Sequence, residues 1–73
     1  MANIKIDCKN LMCPRPIIDL SKAIKTINSG EILELEVTDP AFESDLQAWI
    51  KQTRHELISF TAGVPMVAVI RKR

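Results

Sequence analysis

The stretch "EILELEVTDP", Glu31 to Pro40, decides how the chain is laid out. Leu33, Leu35 and Val37 alternate with Glu34 and Glu36, the period-two pattern of a strand with one apolar and one charged face. A sheet charged on one side takes helices on the other side only, so the pattern predicts two layers. Asp39 and Pro40 follow as an N-cap and first-turn pair, the signal that a helix begins there.

The flanking segments fit the same plan. "IKI" at Ile4 to Ile6 alternates as a short strand. From Pro16, the residues Ile17, Leu20, Ile24 and Ile27 recur at helical spacing, with Asp19, Lys22 and Lys25 opposite, and Asn28, Ser29 and Gly30 close that helix. Phe42, Leu46, Trp49, Ile50 and Thr53 form a second helical stripe. "ELISFTA" and "VPMVAVIRK" read as an antiparallel strand pair around Gly63. "MVAVI" is the most continuous apolar run, which places the last strand in the middle of the sheet. Right-handed crossovers put both helices on one face. The expected fold is a two-layer α/β sandwich of order β-α-β-α-β-β, one domain over residues 1–73.

Composition narrows the function classes. A domain this small buries only about 60% of the surface its unfolded chain exposes, which leaves no room for a deep cleft between domains. Ten Lys and Arg stand against nine Asp and Glu, so no net charge draws the chain to nucleic acid or to an anionic membrane. The first residues, "MANIKIDCKN", lack a secretory apolar run, and no segment reaches transmembrane length. The expected location is the cytoplasm, where two cysteines are thiols sooner than a structural staple.

One of those thiols stands in an unusual place. In "NLMCPRPIIDL", Asn10 to Leu20, Cys13 directly precedes Pro14 and Pro16 at the mouth of the first helix. Ordinary helix starts use Ser, Thr, Asp or Asn. Residues before proline avoid the helical region, so Cys13 and Arg15 are expected to be extended and the helix to begin at Pro16. A helix N-terminus offers free N–H groups and partial positive charge, which favour a thiolate. With Lys9 and Arg15 nearby, Cys13 is expected to be exposed on a protruding edge, rigidly mounted and moderately acidified. The alternative is a small residue that merely fills the helix entrance.

"DCKNLMCPRP", then "TDP", then "HEL" resemble the TusA/SirA-like sulfur-carrier proteins, over nearly the whole chain from Ile4 onward. The most specific part is the Cys-Pro-x-Pro motif, Cys13 to Pro16. The resemblance implies a mixed sheet of order 1-2-4-3. It also implies that Cys13 accepts sulfane sulfur as a persulfide and hands it to a partner protein. Pro14, Arg15, Pro16, Lys9 and Asn10 would support it. Donors in such a family are cysteine desulfurases or rhodanese-type proteins; outlets include tRNA thiolation, sulfur oxidation and cofactor assembly. Lys9 and Arg15 would then guide acidic partner surfaces, and no cofactor, direct nucleic acid contact or membrane insertion is expected.

Two positions depart from the family pattern, which has glycine at both. Asn10 tolerates a left-handed backbone, so its turn is expected to survive. Arg54 would cost on the order of 1 kcal/mol in a left-handed helix cap, unless the helix ends differently.

Two rival functions carry sequence features of their own. Cys8 is the candidate second thiol, and a Cys8–Cys13 pair would make a dithiol redox protein, although packing is the simpler role for Cys8. An RNA-binding module fits the fold type but not the near-neutral charge and few aromatics. Cys8, Cys13 and His55 lack the paired spacing of a zinc site, so no metal is expected. His55 reads as a corner residue, Trp49 as core, and Lys22 as a solvated lysine on the first helix.

Overall fold

The computed structural model describes residues 2–73. Six elements follow one another: β1 (Ile4–Cys8), α1 (Arg15–Ile24), β2 (Ile32–Val37), α2 (Phe42–Thr53), β3 (Glu56–Thr61) and β4 (Met66–Arg71). The four strands form one sheet of order β1-β2-β4-β3. β1 runs parallel to β2, while β4 lies antiparallel to both β2 and β3. The last strand is therefore central, as its continuous apolar run requires.

Register sorts the sheet into two faces. Ile6 lies beside Leu35, and Leu35 beside Ala68; Cys8 lies beside Val37, and Val37 beside Met66. These residues, with Leu33 and Ile70, share one core with Leu20 and Ile24 of α1 and Phe42, Leu46 and Trp49 of α2. Glu34 and Glu36 fall on the other face, in register with Val69 and Val67. The Leu-Glu alternation thus places two helices over one side of the sheet and solvent over the other.

β3 solves a pattern problem that simple alternation leaves open. Leu57 and Phe60 are three residues apart, so a regular strand would point them to opposite faces. A register shift between Leu57 and Ser59 makes Ile58 the extra residue of a bulge. Leu57 then pairs with Ile70 and Phe60 with Ala68, and both pack on the core.

Helix ends differ from the expectations in three places. α1 begins at Arg15, one residue before Pro16, so Arg15 is helical rather than extended. It ends at Ile24, with a turn in place of the last predicted residues; Ile27 still packs on the core. α2 begins only at Phe42, with Ala41 at its N-cap and no side-chain cap, so Asp39 and Pro40 form the turn ahead of the helix instead of its cap and first turn. The Asp39 carboxylate accepts the Ala41 N–H at 3.1 Å and its carbonyl accepts the Phe42 N–H at 3.0 Å. Asn10 and Arg54 both adopt left-handed backbone, with φ of 67° and 63°. Arg54 closes α2 by donating its N–H to the Ile50 carbonyl at 2.8 Å, so the strained cap is present. No helix among the described residues is long and apolar enough to cross a membrane.

Candidate functional site

The parallel strands β1 and β2 end side by side, Cys8 against Val37, and the loops that leave them meet. Each loop anchors the other. The Asn10 N–H donates to Thr38 Oγ1 at 2.9 Å, and the Cys13 N–H donates to Asp39 Oδ2 at 2.7 Å. Within the first loop, the Leu11 N–H reaches the Cys8 carbonyl at 3.3 Å and the Arg15 N–H the Met12 carbonyl at 2.8 Å. The left-handed turn at Asn10 and two prolines leave the segment few conformations.

Asp39 links the two loops. It is buried, and each carboxylate oxygen accepts one backbone N–H, Ala41 on its own loop and Cys13 on the other. Such charge-assisted bonds are about twice as strong as neutral ones. One residue therefore holds the turn before α2 and fixes the backbone of Cys13.

The Cys13 side chain is exposed, beside Met12, which is 69% accessible. Its thiol donates to Asp45 Oδ2, in the first turn of α2, at 2.9 Å. A shallow groove of about 260 Å³ opens beside this pair, with Pro14 and Ile17 on one side and Ala48, Trp49 and Gln52 on the other.

The family model described as Sulfurtransferase TusA matches residues 4–72. The chain belongs to the TusA sulfurtransferase family. It is similar to the sulfur carrier protein TusA of Allochromatium vinosum, with 37% identity over 54 residues, 74% of this chain and 71% of that protein. It is also similar to two Bacillus subtilis proteins that are provisionally named sulfur carriers. YrkI is 43% identical over 56 residues, 77% of this chain and 75% of its own length. YrkF is 43% identical over 61 residues, which are 84% of this chain but only 33% of YrkF. This chain thus spans about a third of YrkF.

The Cys13 thiol of this TusA-family chain is not acidified, contrary to the expectation from its place at a helix entrance. Its pKa is raised, first by the hydrogen bond to Asp45, then by desolvation and by the negative charges of Asp45 and Asp39. The physical reason lies in the donors. Pro14 and Pro16 have no N–H, the Cys13 N–H is taken by Asp39, and the Arg15 N–H by Met12. Little of the helix terminus is left to stabilise an anion, while a carboxylate faces the sulfur.

The cations expected beside Cys13 are occupied elsewhere. Lys9 pairs with Glu36 at 2.9 Å and with Asp7 at 3.4 Å, bridging β1 and β2 on the open sheet face. Arg15 lies 3.8 Å from Asp19 along α1, and its side chain is largely exposed. The protruding edge is also only half the picture, because the exposed thiol borders the groove between the helix starts.

Cys8 and His55 stand apart from this arrangement. Cys8 is 1% accessible, part of the core, and its thiol is raised in pKa mainly by burial. Both cysteines are free. His55 follows the far end of α2, where its ring lies 5.2 Å from that of Trp49 and its Nδ1 accepts the Arg73 N–H at 3.0 Å. Lys22, in the last turn of α1, borders a different groove with Lys5 and Asp19. Among the described residues, no group of three or more His, Cys, Asp or Glu is placed to hold a metal ion.

Asp45 is the residue that sequence reasoning missed. Its contact with Cys13 spans 32 positions, and no motif or spacing in the sequence marks it. Asp39 reads in the sequence as the N-cap of α2, whereas in the structure it holds the turn before that helix and accepts the Cys13 N–H.

Proposed function

We propose that this chain is a sulfur carrier that holds sulfane sulfur as a persulfide on Cys13 and passes it to a partner protein. The observation that carries this reading is the mounting of Cys13: its backbone is tied by Asp39 and two prolines while its side chain stays exposed at the rim of an open groove. A carrier needs that combination, because a partner's sulfur must approach in line with the bond being broken. Family membership and the names of relatives support the same reading.

The chemistry is two thiol exchanges. In loading, Cys13 gives up its proton and the thiolate attacks the outer sulfur of a donor persulfide. A new S–S bond forms on Cys13, the donor's S–S bond breaks, and the donor cysteine leaves with the electron pair and takes a proton. In delivery, an acceptor thiolate attacks the outer sulfur and Cys13 leaves in turn. Neither exchange needs an outside oxidant or reductant. The donor is a cysteine desulfurase or rhodanese-type protein and the acceptor another protein of a cytosolic relay, such as one serving tRNA thiolation, sulfur oxidation or cofactor assembly. Burial of Cys8 favours this one-thiol route over dithiol redox chemistry.

The test is loading by a rhodanese supplied with thiosulfate, followed by intact-mass measurement. The wild-type chain and Cys8→Ser should each gain one sulfur, and Cys13→Ser none. Loading that survives in Cys13→Ser would refute the assignment.

A further inference from the structure

The free protein points a carboxylate at the sulfur of its candidate carrier residue, which is the opposite of what a standing nucleophile needs. The Cys13 thiol donates to Asp45 Oδ2 at 2.9 Å. A carboxylate accepts a hydrogen bond from a thiol but repels a thiolate, so the contact is favourable only while the sulfur keeps its proton. The raised pKa of Cys13 has this contact as its largest cause.

The surrounding charges do not cancel the effect. Asp39 on the β2–α2 loop adds a second negative charge near the sulfur. On α2, Glu43 and Asp45 are both acids of the first turn. Lys9 is bonded to Glu36 and Asp7, and Arg15 is directed along α1 toward Asp19. The thiol is thus overlooked by acids from two elements, and the nearby cations have other partners. Beside the Cys13–Asp45 pair, the groove between Ile17 and Trp49 is mostly apolar-walled and open.

We propose that Asp45 is a positioning residue that keeps Cys13 in its protonated form in the free protein. On this proposal, a partner releases the sulfur by setting a cationic group against Asp45 and an apolar side chain into the adjoining groove. The proposal rests on Cys13 being the carrier residue. When the cation pairs with Asp45, the hydrogen bond to the thiol is lost and the field at the sulfur becomes less negative. The proton then passes to solvent, and the thiolate attacks the partner's outer sulfur as in the loading step above. The same pairing assists delivery, since Cys13 leaves more readily as an anion once Asp45 is neutralised. The free carrier is protected meanwhile, because oxidants and electrophiles attack thiolates. The surface implied on the partner is basic and apolar, in contrast to the acidic surface expected from Lys9 and Arg15.

Two small disulfides of opposite charge probe this directly: cystamine, which carries amines, and dithiodiglycolate, which carries carboxylates. Their mixed disulfides with Cys13 are followed by mass at low salt. Wild-type Cys13 should react several-fold faster with cystamine, and the advantage should shrink as salt screens it. In Asp45→Asn the cystamine preference should largely disappear, and in Asp45→Glu, which keeps the charge, it should persist. Alkylation of Cys13 by neutral iodoacetamide should follow a pH profile that moves to lower pH in Asp45→Asn, with a several-fold higher rate at neutral pH. A merely structural role for Asp45 would not move that profile. An equal rate for the two disulfides in the wild type, or an unchanged alkylation profile in Asp45→Asn, would overturn the proposal. The wild-type measurements stand even if the variants fold poorly. Sulfur loading of the wild type is measured separately, so failure of the gate and failure of the carrier reading give different results.

Discussion

Cys8, the last residue of β1, and Cys13, in the loop that follows, carry the same functional group five positions apart. Both thiols are held above their ordinary ionisation range, for different reasons. Cys8 is desolvated by the core, and that cause persists as long as the protein is folded. Cys13 is exposed, and its largest cause is one hydrogen bond to one carboxylate, which a partner can remove. A buried thiol is inert by permanent exclusion of water, whereas an exposed one can be restrained reversibly. The end of a strand and the start of a helix supply these two settings because the first must be packed and the second must be presented.

The sharpest way to break this contrast is native-state alkylation. Cys13 should react at least roughly a thousandfold faster than Cys8, since access to Cys8 requires an opening that costs several kcal/mol. Comparable rates would mean that the β1 end is not part of the stable core. Next in size are the serine substitutions. Cys8→Ser should lower stability by about 1–3 kcal/mol, because it buries a hydroxyl in an apolar site. Cys13→Ser should stay within about 0.5 kcal/mol, as surface changes generally do. Urea denaturation of both variants tests the pair, and equal losses would contradict it.

Asp39→Ala separates the two regions further. Removing the shared acceptor should cost about 1–3 kcal/mol by leaving the Ala41 and Cys13 N–H groups without their partner, and should loosen Cys13 without changing the environment of Cys8. Amide exchange at Cys13 should rise while exchange in β1 keeps its order; uniform loosening would show that Asp39 supports the whole sheet. The smallest effect is alkaline. A group whose folded pKa is raised contributes stability below its unfolded pKa and loses it as pH rises through the folded value. Stability should therefore fall above about pH 9, near the ordinary thiol value of 9.0. Part of that fall should vanish in Cys13→Ser and part in Cys8→Ser. A flat profile in the wild type between neutral pH and pH 10 would contradict both thiol environments.

Much of the architecture was legible because it is periodic. Leu33, Leu35 and Val37 announce a face by spacing alone, and "MVAVI" announces a central strand. The left-handed turns at Asn10 and Arg54 were legible through the family pattern, as departures from glycine that the backbone nonetheless follows. The bulge at Ile58 was less so, since it emerges only when Leu57 and Phe60 must reach one core. At the candidate site, the motif singles out Cys13, but local rules predict an acidified thiol where the hydrogen bond to Asp45 raises its pKa. Helix-terminus reasoning assumes free N–H groups, and here the prolines, Asp39 and Met12 remove them. Asp45 meets Cys13 only through the packing of α2 beside α1, a contact that no spacing along the chain encodes.

The most direct test is to locate the sulfur. The wild-type chain is loaded by rhodanese and thiosulfate, trapped with iodoacetamide and cut with trypsin. Cleavage after Lys9 separates Cys8, in the peptide from Ile6 to Lys9, from Cys13, in the peptide beginning at Asn10. One additional sulfur is expected on the Cys13 peptide, removed by reductant, with the Cys8 peptide unchanged. Additional sulfur on the Cys8 peptide, or a disulfide joining the two peptides, would contradict it.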